Sequence, residues 1–556
     1  MTNRFSVSSA VSLLISGSVA AFAFTGTAAA DDSFLKPGSL VISSSDYVNW
    51  EGAVARLNPT GPNPTQLANT NTATVSAVSD GNYVTVWSNE VPDASFGVTS
   101  PITLTAIEPY SGRELGRLDV PQNQVVTSFS SKSELALHYT RDQRGGHLVF
   151  NAYAGAGVGA LDVSNADAVA GQDPTNPVSF AFGSNYAFHR TIVDLSDDGR
   201  LSYTPTENYG GNNGRAALLA SNGLYYTVGN SNNGNAATFG SASNGTNPDV
   251  TQTTGVEVVT PINGWSVNVA PAIPAVAALA GQTPGSAEVN PLLQYGLGKK
   301  GADDKPGKDN NFRGITEYNG ALYFTKGSGS NGVDTVYTIV NNAPQSPAGF
   351  IPAADTGPAA GNVLPTVANA VDQTIQIVNG FPTDSARSTG GNFTPFAIFF
   401  ASPTTMYVTD EGTGDATDVA TNAGLEKWVL NTATGSWSLA YTLQSGLIGQ
   451  SYGPLAGRDG AWPEVTTVGL RNLAGRVNRN GTVTLWAATS TTDTNAANTD
   501  VGADPNEVVE ITDEVSATTL PAGESFRVVA RPVYGTVYRG VAYVPGDDHH
   551  RGDFGH

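Results

Sequence analysis

"GGNNGRAALLASNGLYYTVGN" from Gly210 and "GKDNNFRGITEYNGALYFTKGS" from Gly307 are two versions of one pattern. In each, an Asn-Asn pair and an arginine (Arg215, Arg313) lead into a short β-rich run, a turn (Asn222-Gly223, Asn319-Gly320) and a second β-rich run. Asn-Gly is a strong hairpin signal, because both residues tolerate the positive φ that a tight two-residue turn needs. A polar loop and a third β-rich run follow in both copies.

Scanned along the chain, the second strand of this unit recurs at Leu40, Tyr83, His147, Leu224, Leu322, Met406 and Val483. The third recurs at Ala53, Ile102, Val158, Val256, Val336, Leu425 and Val508. Each run is rich in β-branched and aromatic residues bounded by turn formers, which predicts seven units of antiparallel strand. The first unit lacks its own first strand, and "YRGVAYVPG" from Tyr538 aligns with "FRGITEYNG" from Phe312, so the C-terminus is expected to supply it. The fold class predicted is all-β: a seven-bladed β-propeller closed by pairing of the N- and C-terminal strands. On these residues the chain resembles propellers of the NHL and YVTN-repeat kind, a resemblance of strand pattern that names a superfold and implies no function. No Trp-Asp blade motif occurs, and "SDDGRLSY" at Ser196 lacks the spacing of a sialidase-type Asp box.

The first thirty residues read as a signal peptide: Arg4, an apolar run from Val11 to Phe24 too short to span a bilayer, then Ala28-Ala29-Ala30. Residues 31–545 read as one propeller domain, and 546–556 as a His- and Asp-rich tail carrying His549, His550 and His556. The expected location is secreted or periplasmic, with no transmembrane segment. With no cysteine, the chain has no disulfides, thiolate metal sites or thiol nucleophiles. Net charge is −21, which disfavours nucleic acid as a partner. Only 13% of residues are charged, against about 25% in an average domain.

Seven units would average about 75 residues, against roughly 40–50 in common blades. The excess sits between second and third strands and in the crossings between blades, including 261–311 and 341–394. In an up-and-down blade both loop classes emerge on one rim, so the working surface is expected there, at the channel mouth. Asn213, Arg215, Asn311, Arg313, Asn392 and Arg539 stand where the chain enters the innermost strands on that side. Arginine's planar fork of donors suits a carboxylate or a sugar; the alternative is that each arginine staples neighbouring blades. His189, on a blade crossing, is the candidate acid–base group. His138 and His147 share one hairpin and are possible neighbours.

Acidic loops offer the other chemistry. Asp410, Glu411, Asp415 and Asp418 crowd "DEGTGDATD", and Asp493, Asp500, Asp504 and Glu507 crowd the equivalent loop of the next blade. Oxygen-rich flexible loops of this kind suit Ca²⁺, though neither has EF-hand spacing. Two functions follow. The first is a protein that binds a small molecule, glycan or envelope partner on its long-loop face. The second resembles the calcium-dependent lactonase-type propellers: a hydrolase or lyase with the ion at the channel mouth. If the acidic loops hold calcium, the melting temperature falls with EDTA and rises saturably with added Ca²⁺; an unmoved melting temperature assigns them to solvated surface.

Overall fold

The computed structural model describes residues 33–46, 65–66, 74–75, 99–128, 135–154, 190–206, 208–209, 213–230, 255–261, 289–293, 311–327, 333–341, 364–366, 373–382, 393–412, 414, 423–457, 460–462, 464–493, 502 and 504–546. Met1–Ser33 separates as a unit of its own, and the fold is that of Phe34–His556. The expected signal peptide and most of the C-terminal tail lie outside the described residues. No described helix is long and apolar enough to cross a membrane.

Six blade-sized antiparallel sheets form a β-propeller among the described residues. From inner to outer strand, blade 1 is Thr536–Tyr543, Leu40–Asp46, Ile102–Ile107 and Glu114–Asp119. Blade 2 is His138–Asp142, Gly145–Ala154, Arg190–Ser196 and Leu201–Thr206. Blade 3 runs Asn213–Leu219, Tyr225–Asn230, Gly255–Val259, Val289–Leu293, and blade 4 Ile315–Tyr318, Ala321–Lys326, Thr335–Asn341, Gln373–Ile377. Blade 5 is Pro395–Ser402, Thr405–Asp410, Gly424–Asn431 and Ser436–Leu443; blade 6 is Val465–Val477, Thr482–Asp493, Val508–Glu514 and Arg527–Ala530. The innermost strands touch one another in cyclic order, blade 1 meeting both blade 2 and blade 6.

The count of seven is therefore corrected to six, and the seven-bladed NHL and YVTN comparison is not supported. Leu40–Asp46 pairs directly with Ile102–Ile107, in unbroken register from Leu40 opposite Ile107 to Ser45 opposite Ile102. The β-rich runs at Ala53 and Tyr83, read as strands of separate units, fall between these partners and outside the described residues. In blade 2 the third strand is Arg190–Ser196 rather than the run at Val158. The loop asymmetry is also corrected. Residues 262–288 and 342–372 join third to fourth strands in blades 3 and 4, so they leave from the rim that carries the tight hairpins.

The second strand of each blade is buried on both faces, and successive side chains along it belong to different interfaces. Leu40 and Ile42 join Trp486 and Val541 between blades 6 and 1, while Val41 joins Leu148 and Phe150 between blades 1 and 2. The interface between blades 2 and 3 has a small apolar cluster: Val149, Ile192, Ala217, Leu219, Tyr225 and Val259.

A repeated device holds the inner strands together. Pairing registers break at Gly214/Ala216, Pro395/Ile398, Leu470/Leu473 and opposite Ile42/Ser44, each a bulge on an inner strand near its start. A hydroxyl on the second strand services the bulge. Thr325 accepts from Gly314 N at 3.1 Å and donates to Phe396 O of the next blade at 2.6 Å. Thr409 accepts from Ala397 N at 2.9 Å and donates to Arg471 O of blade 6. Ser43 accepts from Gly540 N at 2.7 Å and donates to Leu135 O of blade 2 at 2.8 Å. In blade 6, where Ala488 stands at the servicing position, Asn472 Nδ2 instead donates to Arg539 O at 2.9 Å. Backbones approach so closely here that a methyl on Gly314 or Gly540 would lie 2.2 Å from Phe396 O or 2.1 Å from Leu135 O.

Thr409→Val keeps the shape and removes both bonds, leaving a buried amide and a buried carbonyl without their hydroxyl. It is expected to cost about 1–3 kcal/mol, read as a lower urea midpoint with unchanged m-value.

Candidate functional site

The bulge position carries arginine in four blades: Arg215, Arg313, Arg471 and Arg539, all buried. A fifth, Arg190, begins the third strand of blade 2 and is wholly enclosed, its guanidinium 5.2 Å from the centre of the Tyr153 ring. Tyr153 links the set: its phenol feels the charge of both Arg190 and Arg215, although burial dominates and holds its pKa above the ordinary value. Arg215 Nε donates to Asn311 Oδ1 at 2.8 Å, tying blade 3 to the segment entering blade 4. Arg313 and Arg471 both approach the Phe396 ring, at 5.6 and 4.6 Å from its centre. The Gly502 backbone lies against the Arg471 guanidinium, and Arg539 donates to Ser45 Oγ at 3.1 Å and Ser128 O at 3.2 Å. These contacts form a band of guanidiniums around one end of the channel.

Asp410 and Glu411, two of the four expected calcium ligands, are buried among protein partners. Asp410 is fully buried and accepts from Thr394 N and Gly412 N, both at 2.8 Å, and from the Thr394 hydroxyl. Burial pushes its pKa up to about 6 against the pull of these donors. Glu411 lies between two guanidiniums, 3.8 Å from Arg313 Nη2 and 4.0 Å from Arg471 Nε. No cluster of three or more metal-ligating side chains occurs among the described residues. Asp415 and Asp418 lie outside them.

Of the remaining candidates, Asn213 is buried at the start of the blade 3 inner strand and Asn311 is spent on Arg215. Asn392 and His189 lie outside the described residues. Glu317 is engaged elsewhere. Its carboxylate takes Ser221 N at 2.8 Å and the Ser221 hydroxyl, at the hairpin end of the blade 3–4 interface. His138 and His147 part company. The His138 ring crosses into the channel, with Ala217 O 2.9 Å from Nδ1 and Ile315 O 2.7 Å from Nε2. It helps line a cavity of about 90 Å³ bounded by all six inner strands. His147 Nδ1 lies 3.0 Å from Asp194 Oδ1, and Tyr225 OH donates to Asp194 Oδ2 at 2.6 Å.

Two members of the arginine band escaped the sequence reading. Arg471 stands in "GLRN" from Gly469, a variant of the "FRG" and "YRG" repeats that the pattern at Phe312 and Tyr538 could have found. Arg190 begins a third strand, and no repeat marks it.

No protein-family profile matches the chain, and no curated protein matches it. Among solved structures, a mutant of the NanB sialidase from Streptococcus pneumoniae aligns over 80% of this chain and 64% of its own, at 7% identity and TM-score 0.32. The chain thus spans less than two thirds of that sialidase. Parainfluenza virus 5 hemagglutinin-neuraminidase with the ligand DANA aligns over 79% and 83%, at 10% identity and TM-score 0.26. A family 43 arabinoxylan arabinofuranohydrolase from Bacillus subtilis, in complex with cellotetraose, aligns over 80% and 84%, at 9% identity and TM-score 0.24. Likeness at this level carries no conclusion about chemistry; the blades are read from the strand pairing itself.

The His147–Asp194 bond has a signed consequence. It raises the His147 pKa above the ordinary 6.5, its effect exceeding that of burial. The stabilisation is therefore complete below pH 6.5 and fades as pH rises through the higher folded-state value. His147→Gln is expected to flatten this part of the stability–pH curve, measured by urea midpoints from pH 5 to 9.

Proposed function

We propose that this protein is a propeller that binds a carboxylate-bearing ligand at the arginine-lined end of its channel. One observation carries the reading: the fold does not require arginine at the bulge. In blades 2 and 5 the stitched carbonyls belong to Leu135 and Phe396, and the bond from the preceding blade is made all the same. Burying a guanidinium is costly, and an apolar side chain of similar size is often as stable or more so. Four arginines at equivalent positions, with Arg190 beside them, suit a task beyond holding blades together. Planar forks of donors in a desolvated setting are well matched to carboxylate oxygens.

The pairing of Thr536–Tyr543 with Leu40–Asp46 supports a ring whose ends lock each other. The signal-like N-terminus supports work outside the cytoplasm. A small acid or an acidic glycan is the ligand class proposed.

Cyclohexanecarboxylate and D-glucuronate serve as probes in isothermal titration calorimetry. Both are expected to bind, more weakly as salt rises, and Arg215→Leu or Arg313→Leu is expected to weaken each at least about tenfold, or about 1.4 kcal/mol. Failure of both acids to bind, or undiminished binding by both variants, overturns the proposal.

A further inference from the structure

The upper part of the interface between blades 2 and 3 is polar. Below it sit the six apolar residues of that interface; above them, Asn151, Tyr153 and Arg190 of blade 2 face Thr227 and Glu257 of blade 3. Alternation fixes these directions. Val256 and Val258 belong to the core shared with blade 4, so Glu257 between them points toward blade 2, as does Thr227 opposite it in register.

Glu257 is wholly buried, and its polar neighbour is the Asn208 side chain, on the segment linking blades 2 and 3; neither carboxyl oxygen makes a bond of full hydrogen-bond geometry. Asn213 Oδ1, two residues before Arg215, is buried without a hydrogen-bond partner. Their neighbours are engaged with one another. Asn151 Nδ2 donates to Thr227 Oγ1 at 3.2 Å, Thr227 Oγ1 donates to Ala216 O at 2.9 Å, and Tyr209 OH donates to Gly255 O at 3.0 Å. Gly214 packs against Asn151 and Arg190, which joins this patch to the arginine band. Native interiors rarely leave such groups incompletely bonded, and a buried carboxyl so placed marks where a guest can complete the bonding.

We infer that Glu257, Asn208 and Asn213 form a hydrogen-bonding subsite for hydroxyl groups of the ligand whose carboxylate docks on the arginines. Its ligand is thus a polyhydroxy acid of the sugar-acid class. The inference rests on the arginine-site reading and adds the second half of the recognition. An amide N–H donor, an amide oxygen acceptor and a carboxyl that can both donate and accept together match hydroxyls, which also do both. Burial raises the Glu257 carboxyl well above the ordinary carboxylate pKa, against the pull of Asn208, which favours the protonated form that can donate as well as accept. A site built to bond hydroxyls discriminates strongly against an analogue that lacks them, because its polar groups are then left unpaired.

The test compares D-glucuronate with cyclohexanecarboxylate, of equal charge and similar ring size, in wild type, Glu257→Gln and Glu257→Leu, with melting curves confirming that each variant is folded. Wild type is expected to favour glucuronate at least tenfold. Glu257→Gln should keep most of that preference, and Glu257→Leu should erase it while leaving cyclohexanecarboxylate affinity unchanged. Equal affinities in wild type, or a preference that survives in Glu257→Leu, overturn the subsite while leaving the arginine site standing. Binding of neither acid overturns both.

Discussion

A hydroxyl on the second strand, present in three of the six blades, governs how this molecule is put together. Ser43, Thr325 and Thr409 each take a bulge amide of their own blade and give a proton to the inner strand of the next. The bond is modest in water-exchange terms, about 1 kcal/mol. Its importance lies in geometry. It fixes where the inner strand of one blade bulges and how closely the next may approach, and Gly314 and Gly540 answer that closeness by carrying no side chain.

The bulge, once fixed, aims a side chain. A residue at this point leaves the regular alternation of the strand and turns toward one end of the channel. Leucine and phenylalanine occupy it in two blades and arginine in four. The fold thus provides a ring of equivalent positions and leaves their chemistry open, which is how propellers separate scaffold from site. Arg190 completes the set from a different strand, and Glu411 stands within the band between Arg313 and Arg471.

What the sequence revealed, and what it hid, follows from the range of the interactions involved. Hairpins are local, so Asn319-Gly320 announced itself, and both residues adopt positive φ, 51° and 73°. The repeated Arg-Gly after an aromatic residue exposed Arg313 and Arg539 because one bulge geometry recurs. Strand pairing is long-range. The runs at Ala53 and Tyr83 have the same local character as Ile102–Ile107, and only the register with Leu40–Asp46 decides which partner is chosen. A blade was gained in the reading for that reason. The acids of the "DEG" loop show the same limit: composition suggests calcium, while the contacts of Asp410 with Thr394 and Gly412, and of Glu411 with two guanidiniums, come from partners that no local pattern brings near.

The central claim is that the bulge arginines serve a ligand and not the ring. Replacing Arg313, Glu411 and Arg471 together by leucine removes two cations and the carboxylate between them. The most direct measurement is the urea midpoint of this triple variant beside wild type. The account predicts an equal or higher midpoint, as for other buried ion clusters exchanged for apolar side chains. A protein that fails to fold, or whose midpoint falls steeply, would show that the arginines hold the blades and would contradict it.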